Sequence, residues 1–432
     1  MADLLALSSR IIDSGVADVP VNRVTNELSE LADDLAIVES FSHCVAFDTG
    51  DGLVCFDASS AATGAAVVDA LGTWRSAPTT TLVYTHGHAD HVGGSPAFSA
   101  ATDRPITVIG HREVAHRFER YRFTDGWNRR INRRQFGGTG GELRPATGQF
   151  SIGVGTPETF LPPTTLEPDV VVDDHHTVTF GDTVVELRHA RGETDDHLWA
   201  WFPERRWIMV GDFVIWNFPN AGNPQKVQRY PLEWAAALRE MAATGAELLV
   251  PAHGLPIAGT ERIAGVLDEI ATALERLVHE VVTMMNEGAT LDTIVHSVSV
   301  PDAVLARPFL RPFYDEPEFV VRNVWRLYGG WWDGAPSRLK PAPDAVLAGA
   351  IAELAGGVDR LVARAQTAVA EGDFRLAAHL VDLAVWAAPD DRTAHGARAE
   401  VYQERRRHET SLMAKGVFGA AARESADRAG ES

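Results

Sequence analysis

Thr85-His86-Gly87-His88-Ala89-Asp90-His91-Val92-Gly93-Gly94 closes Thr80–Thr85, a β-branched run that reads as a buried strand. Side chains two positions apart on an extended chain point the same way, so His86 and His88 aim their imidazoles at one point as the chain leaves the strand. That gives one ion two nitrogen ligands. Asp90 and His91 come one turn later and reach a neighbouring ion, while Gly87, Gly93 and Gly94 permit the tight backbone that such crowding needs. Four ligand-type side chains between positions 86 and 91 point to a metal centre rather than to a surface cluster of polar residues.

Working outward, Ala36–Asp57 alternates apolar with small or polar residues around Thr49-Gly50-Asp51-Gly52, the pattern of a hairpin. Ala61–Leu71 then reads as a helix and Ile106–Ile109 as a strand, and this alternation of strands and helices makes the class α/β. From Arg120 to Pro168 the periodicity fades into Gly, Pro, Arg and aromatic residues, so a long functional loop flanking the site is expected there. Val170–Phe180 and Thr183–Leu187 meet at Gly181-Asp182 as a second hairpin, and Trp207–Val210 is a short strand, with sheet content continuing to about Val250. Trp199 and Trp201 alternate on a strand and belong to the core, whereas Trp216 and Phe218 stand beside candidate ligands and are candidates for an apolar pocket lining.

After Thr260 the period changes: Ile263, Val266, Leu267 and Ile270 recur at one-turn spacing on a single face. The chain divides on this reading into residues 1–258 and a helical 259–432. Asp373 caps a helix that begins at Phe374 and stops before Pro389, and Asp390 or Asp391 caps the next, so the pair reads like one unit of a helical repeat. The last dozen residues read as a frayed end.

At 432 residues and 45% apolar content, the chain can build two cores. A net charge of −20, from 59 acidic against 39 basic side chains, repels a polyphosphate and argues against a nucleic-acid partner. No stretch is long and apolar enough to span a bilayer, and Met1–Leu7 lacks the basic start of a secretion signal. Cys44 and Cys55 lie in alternating apolar segments and read as reduced core thiols, which points to the cytoplasm.

With the cluster from His86 to His91 in place, the chain resembles the metallo-β-lactamase superfamily, whose His-x-His-x-Asp-His motif supplies ligands to two ions, usually zinc, within an αββα sandwich. The resemblance implies further ligands at Asp212, in Ile208-Met209-Val210-Gly211-Asp212, as the bridging carboxylate, and at His253, in Pro251-Ala252-His253-Gly254. Where most members carry Pro-Gly-His-Thr, this chain has Ala190-Arg191-Gly192-Glu193-Thr194, so Glu193 takes the middle position and adds negative charge, favouring harder ions. His189 and His197 flank this segment, as supports behind the ligands or, the preferred reading, as plain polar residues.

A Glu in that position is similar to the alkylsulfatase branch, zinc enzymes that hydrolyse alkyl sulfate esters. Arg129-Arg130 and Arg133-Arg134 before a Gly-rich loop, Leu161-Pro162-Pro163-Thr164, Asn220 and Tyr328-Gly329-Gly330-Trp331-Trp332-Asp333-Gly334 carry the same likeness. Met285-Asn286-Glu287-Gly288, Ala370-Glu371-Gly372-Asp373-Phe374 and Ala388-Pro389-Asp390 resemble that branch's all-α dimerisation domain, which implies a homodimer. The resemblance therefore implies His86, His88 and Glu193 on one Zn2+, Asp90, His91 and His253 on a second, with other divalent ions as alternatives. Asp212 and Asp90 take the catalytic role, with hydroxide generated between the ions as the nucleophile. Asn220, Gln225, Lys226 and Arg229 would hold a small anionic ester. Gln225 stands where the branch has a sulfate-gripping arginine, and Phe319 where it has a histidine. Cleavage of a lactone, carboxylic ester or phosphoester at the same site stays open, as do attack at carbon and attack at sulfur. A di-iron redox site and a helical interaction protein with a vestigial site are the remaining alternatives.

Overall fold

A computed structural model describes residues 3–136 and 159–430 of the chain. Seven strands, β1 (Leu28–Ala32), β2 (Leu35–Val38), β3 (Cys44–Asp48), β4 (Leu53–Phe56), β5 (Thr79–Val83), β6 (Thr107–His111) and β7 (Val170–Val172), lie side by side in chain order. The second sheet runs β8 (His175–Phe180), β9 (Thr183–His189), β10 (Leu198–Phe202), β11 (Trp207–Gly211), β12 (Leu248–Pro251) and β13 (Ile257–Ala258), also in chain order. Both expected hairpins form, β3 with β4 across Asp48 and Leu53, and β8 with β9 across Phe180 and Thr183. The stretch Val170–Phe180 is two strands, not one, because the chain crosses at Asp173-Asp174 from the first sheet to the second.

Period-two alternation places the layers. Val45, Phe47, Val54, Phe56, Val83 and Ile109 face a core shared with Leu187, Leu198, Phe202 and Ile208 of the second sheet. Their neighbours Cys44, Ala46, Cys55, Leu82, Tyr84 and Val108 face the opposite way, onto Val67 and Leu71 of the helix Gly64–Trp74 and Val114 and Phe118 of the helix Glu113–Phe123. The second sheet is covered in turn by Trp234, Leu238 and Met241 of the helix Pro231–Ala243. Helix, sheet, sheet and helix follow one another, the expected αββα order. Cys44 and Cys55 are buried and unbridged, and no helix of the described residues is long and apolar enough to cross a membrane.

Packing on the sandwich continues past residue 258. Ile263, Val266, Leu267, Ile270 and Leu274 of the helix Thr260–Asn286, with Val320, Val321 and Val324 of Pro317–Gly329, extend the sandwich core. The first compact unit therefore runs to Trp331, apart from the helical turns that start at Ile131, and the second holds the described residues from Trp332 onward. Arg120–Pro168 does not open as irregular chain: the helices Glu113–Phe123 and Asp125–Phe136 occupy its first part, and the Gly-rich loop after Arg134 lies outside the described residues. Nor does the C-terminal end fray among the described residues, since Leu412–Ala429 is a helix whose buried Gly419 and Ala422 permit close packing on Arg392–His408. The second unit is a set of Ala-rich helices, Asp344–Ala355, Val358–Ala370, Phe374–Ala387, Arg392–His408 and Leu412–Ala429. The Asp373 and Asp391 side chains cap their helices as the sequence indicated.

One close approach fixes the turn after the histidine cluster: a Cβ on Gly94 would sit 2.0 Å from the Ala58 carbonyl oxygen and 2.9 Å from the Cα of Gly64. Gly94→Ala should therefore cost about 3 kcal/mol by overpacking, read as a fall in the urea midpoint at unchanged slope; an unchanged midpoint would show that the turn is free to move.

Candidate metal centre

Strands β4, β5, β9, β11 and β12 all end at one edge of the sandwich, and polar residues follow each of them within a few positions. β5 delivers His86 and His88, and the single turn Ala89–Val92 that follows carries Asp90 and His91. Glu193 lies between β9 and β10, Asp212 directly follows β11, and His253 comes two residues after β12. A backbone torsion sets one of these exits: Gly211 has φ +54, and a Cβ there would meet His197 at 2.6 Å and Thr85 at 2.8 Å.

The ligand atoms gather into three overlapping groups, His86 with His88 and Glu193, His86 with His91 and Asp212, and Asp90 with His91 and His253. Asp212 Oδ2 stands at their centre, 3.9 Å from His86 Nε2, 3.4 Å from His91 Nε2 and 3.7 Å from His253 Nε2. Glu193 Oε1 lies 3.7 Å from His88 Nδ1, and Asp90 Oδ2 lies 3.5 Å from His253 Nε2. All seven residues singled out from sequence as ligands are thus brought together.

The ring tautomers are set from behind. Asp57, at φ +61 after β4, accepts from Thr85 N at 2.8 Å and Thr85 Oγ1 at 2.7 Å, and its Oδ2 meets His91 Nδ1 at 2.8 Å. With Nδ1–H donated to this carboxylate, His91 turns the lone pair of Nε2 into the site. Thr85 Oγ1 lies 3.1 Å from His86 Nδ1 and sets that ring the same way. A buried ion pair steadies the loop between the first two histidines: Asp196 accepts from Gly87 N at 2.9 Å and from Arg117 Nε at 2.8 Å. His197 is more than a flanking polar residue, for it stacks on His86 with centroids 4.6 Å apart and accepts from Asp212 N at 3.2 Å. His189 stacks instead on His111.

Burial, then the neighbouring His91 and His88, hold His86 well below the usual histidine range; burial and then Arg229 do the same for His88. Both rings are neutral, as a ligand requires. Burial opposes charge on His91, but Asp212, Asp57 and Asp90 outweigh it and raise its pKa. Burial drives Glu193 up to about 8 against the pull of Arg229, and Asp212 and Asp90 add to the push. Cations fit this set: His91 Nε2 and Asp212 Oδ1 are buried without a hydrogen-bond partner among the described residues, and imidazole and carboxylate donors suit a divalent ion of intermediate hardness.

The four residues assigned to substrate separate. Asn220 Nδ2 donates to Glu193 Oε1, and Arg229 Nη1 pairs with the same oxygen at 3.1 Å, so the structure places both against a candidate ligand. Gln225 and Lys226 are half-buried on the loop between them. Burial and then Arg229 lower Lys226 to about 8. Trp216 and Phe218 are fully buried in the core. Sequence reasoning gave no role to Asp57, Thr85, Arg117 or Asp196, of which only Thr85 stands in the histidine motif.

Asp57→Ala should leave the fold intact and weaken zinc binding by about 10–100-fold in a chelator competition, since the partner that orients His91 is lost. Unchanged affinity would show that His91 needs no such support.

Residues 38–253 match the metallo-beta-lactamase superfamily, and residues 290–428 match the alkyl sulfatase dimerisation family. A linear primary-alkylsulfatase from a Pseudomonas species is 26% identical over 76% of this chain and 63% of its own length. The alkyl/aryl-sulfatase BDS1 of Saccharomyces cerevisiae is 25% identical over 76% of this chain and 52% of its own length. Among solved structures, the stereoselective inverting sec-alkylsulfatase Pisa1 from Pseudomonas sp. superposes with a TM-score of 0.82 at 21% identity, covering 93% of this chain and 65% of that one. The chain thus spans between half and two-thirds of the length of these relatives. Their shared fold, the matched span from β2 to His253 and the seven convergent ligand-type side chains lead to one assignment: this chain belongs to the metallo-β-lactamase superfamily, and a region that matches the alkyl sulfatase dimerisation family follows.

Proposed function

We propose that this chain is a hydrolase of alkyl sulfate esters that works with two divalent cations, zinc first among them. One observation carries the hydrolase reading: Asp212 Oδ2 lies 3.9 Å from His86 Nε2 and 3.7 Å from His253 Nε2, within reach of both ligand sets. His86, His88 and Glu193 would hold one ion, Asp90, His91 and His253 the other, and Asp212 both. Such a pair supplies Lewis acidity and brings the pKa of a water toward neutrality.

The chain's own residues do the rest. Asp57 keeps the proton of His91 on Nδ1, and Thr85 orients both Asp57 and the His86 ring. Asp196 and Arg117 fix the loop that sets His88 beside His86. Lys226 and Gln225 face the task of holding an anionic head, one as a cation and one through an amide whose Nε2 has no partner among the described residues. Sulfate leaves a carbon centre without needing a proton, whereas attack at sulfur expels an alkoxide that does. Alkylsulfatase relatives at about 25% identity support the sulfate ester as substrate.

A second reading keeps the site and changes the ester. Gln225 replaces a guanidinium with a neutral amide, and Arg229 is engaged by Glu193, a weaker grip on a sulfate and a better match to a lactone, carboxylic ester or phosphoester. Zinc-loaded protein should turn over alkyl sulfates faster than these esters, and isotopically labelled water should mark the alcohol for attack at carbon or the sulfate for attack at sulfur. Inert alkyl sulfates beside a hydrolysed lactone or phosphoester would establish the second reading.

A homodimer belongs to the same proposal. On the helix Asp344–Ala355, Leu347 and Leu354 lie two turns apart on one face and are 52% and 89% exposed, an apolar stripe in the region that matches the dimerisation family. The unbridged Cys44 and Cys55 support a reducing, cytoplasmic location. Leu347→Glu combined with Leu354→Glu should give a folded monomer by light scattering; a dimer that survives both would place the interface elsewhere.

A further inference from the structure

Arg229 is 2% exposed, Glu193 is 4% exposed, and the guanidinium Nη1 meets the carboxylate Oε1 at 3.1 Å while also donating to the Glu193 backbone carbonyl. That Oε1 is the oxygen that faces His88 Nδ1 at 3.7 Å, so the arginine touches the ligand atom itself. The contact is built, not incidental. Asn323, on the helix Pro317–Gly329, donates from Nδ2 to the Arg229 carbonyl at 3.0 Å and accepts from Arg229 N through Oδ1 at 3.4 Å. Tyr230 N donates to the Gly192 carbonyl at 3.0 Å, which fastens the arginine's segment to the loop that carries Glu193.

We infer that Arg229 is the counter-ion of the Glu193 ligand, and that the two side chains together stand in electrostatically for the neutral imidazole that most of the superfamily carries at this position. A guanidinium is charged at every accessible pH, so a buried one demands a carboxylate. A carboxylate in place of an imidazole adds one negative charge to a site that already holds Asp90 and Asp212, which weakens a bound cation as a Lewis acid. The positive charge on Arg229 offsets that addition at the atom where it arises. Arg229 is thus a positioning residue that acts through Glu193, and the grip on a substrate anion falls to other groups. The inference rests on the metal-site reading given above.

A double-mutant cycle tests it, with zinc affinity by chelator competition as the readout and circular dichroism as the check on folding. Glu193→His leaves the arginine without its carboxylate and Arg229→Met leaves the carboxylate without its cation, so each alone should shift the zinc dissociation constant at least tenfold, while the double variant should return close to wild type. Arg229→Lys keeps the charge and should stay nearer to wild type than Arg229→Met. Should Arg229→Met fail to fold, Glu193→Gln removes the counter-charge at constant shape, and wild-type zinc affinity in that variant would overturn the inference. Additive losses in the double variant would overturn it as well. So would an Arg229→Met variant with wild-type zinc affinity and a raised KM, because the arginine would then be gripping substrate. Wild-type protein that binds no zinc would overturn the metal-site reading itself, an outcome distinct from zinc-loaded wild type with additive losses.

Discussion

Three carboxylates, Asp90, Glu193 and Asp212, are held among four imidazoles at the edge of a sandwich core, and this concentration of negative charge is the constraint around which the first unit is built. Like charges so placed repel one another, and burial raises the cost. The protein meets it in two ways: cationic side chains stand beside the cluster, and buried partners orient the His86 and His91 rings. Two divalent cations would complete the neutralisation. Without such a demand, the unpartnered Asp212 Oδ1 and His91 Nε2 would be costly groups with no physical account.

The sheets explain why the cluster can form at all. Period-two alternation buries both faces of the first sheet, so the strands cannot slip without sending an entire apolar set to the wrong layer. Register so fixed delivers the ends of β4, β5, β9, β11 and β12 to one edge, and each exit contributes a ligand or its support. The site therefore inherits its precision from the core, and the loop carrying Glu193 inherits it from the clamp on Arg229.

The α/β class and the cluster from His86 to His91 were legible in short-range patterns, whereas the αββα order and the places of Glu193, Asp212 and His253 followed from the family resemblance. Alternation marks β3 and β4, and the two-residue step from His86 to His88 marks the first ligands. Asp57 carried no such mark: it is a single acid 34 residues before His91, and its role exists only once β4 and β5 pair. Arg117 and Asp196, 79 residues apart, are the same case. The helix Glu113–Phe123 hides its buried stripe of Val114, Arg117, Phe118 and Tyr121 behind an arginine, and the next helix buries Asn128 and Gln135, so an apolar count finds little there. After Thr260 periodicity reports an amphipathic face and not the partner that covers it, which for Ile263, Val266 and Ile270 is the sandwich core. Arg229 likewise reads as a loop cation until Glu193 is seen against it.

Diffraction at the zinc absorption edge from crystals of the metal-loaded protein tests the central claim most directly. Two anomalous peaks per chain are expected, one among His86, His88 and Glu193 and one among Asp90, His91 and His253, with the Asp212 carboxylate between them. A single peak, or peaks remote from these side chains, would contradict the account.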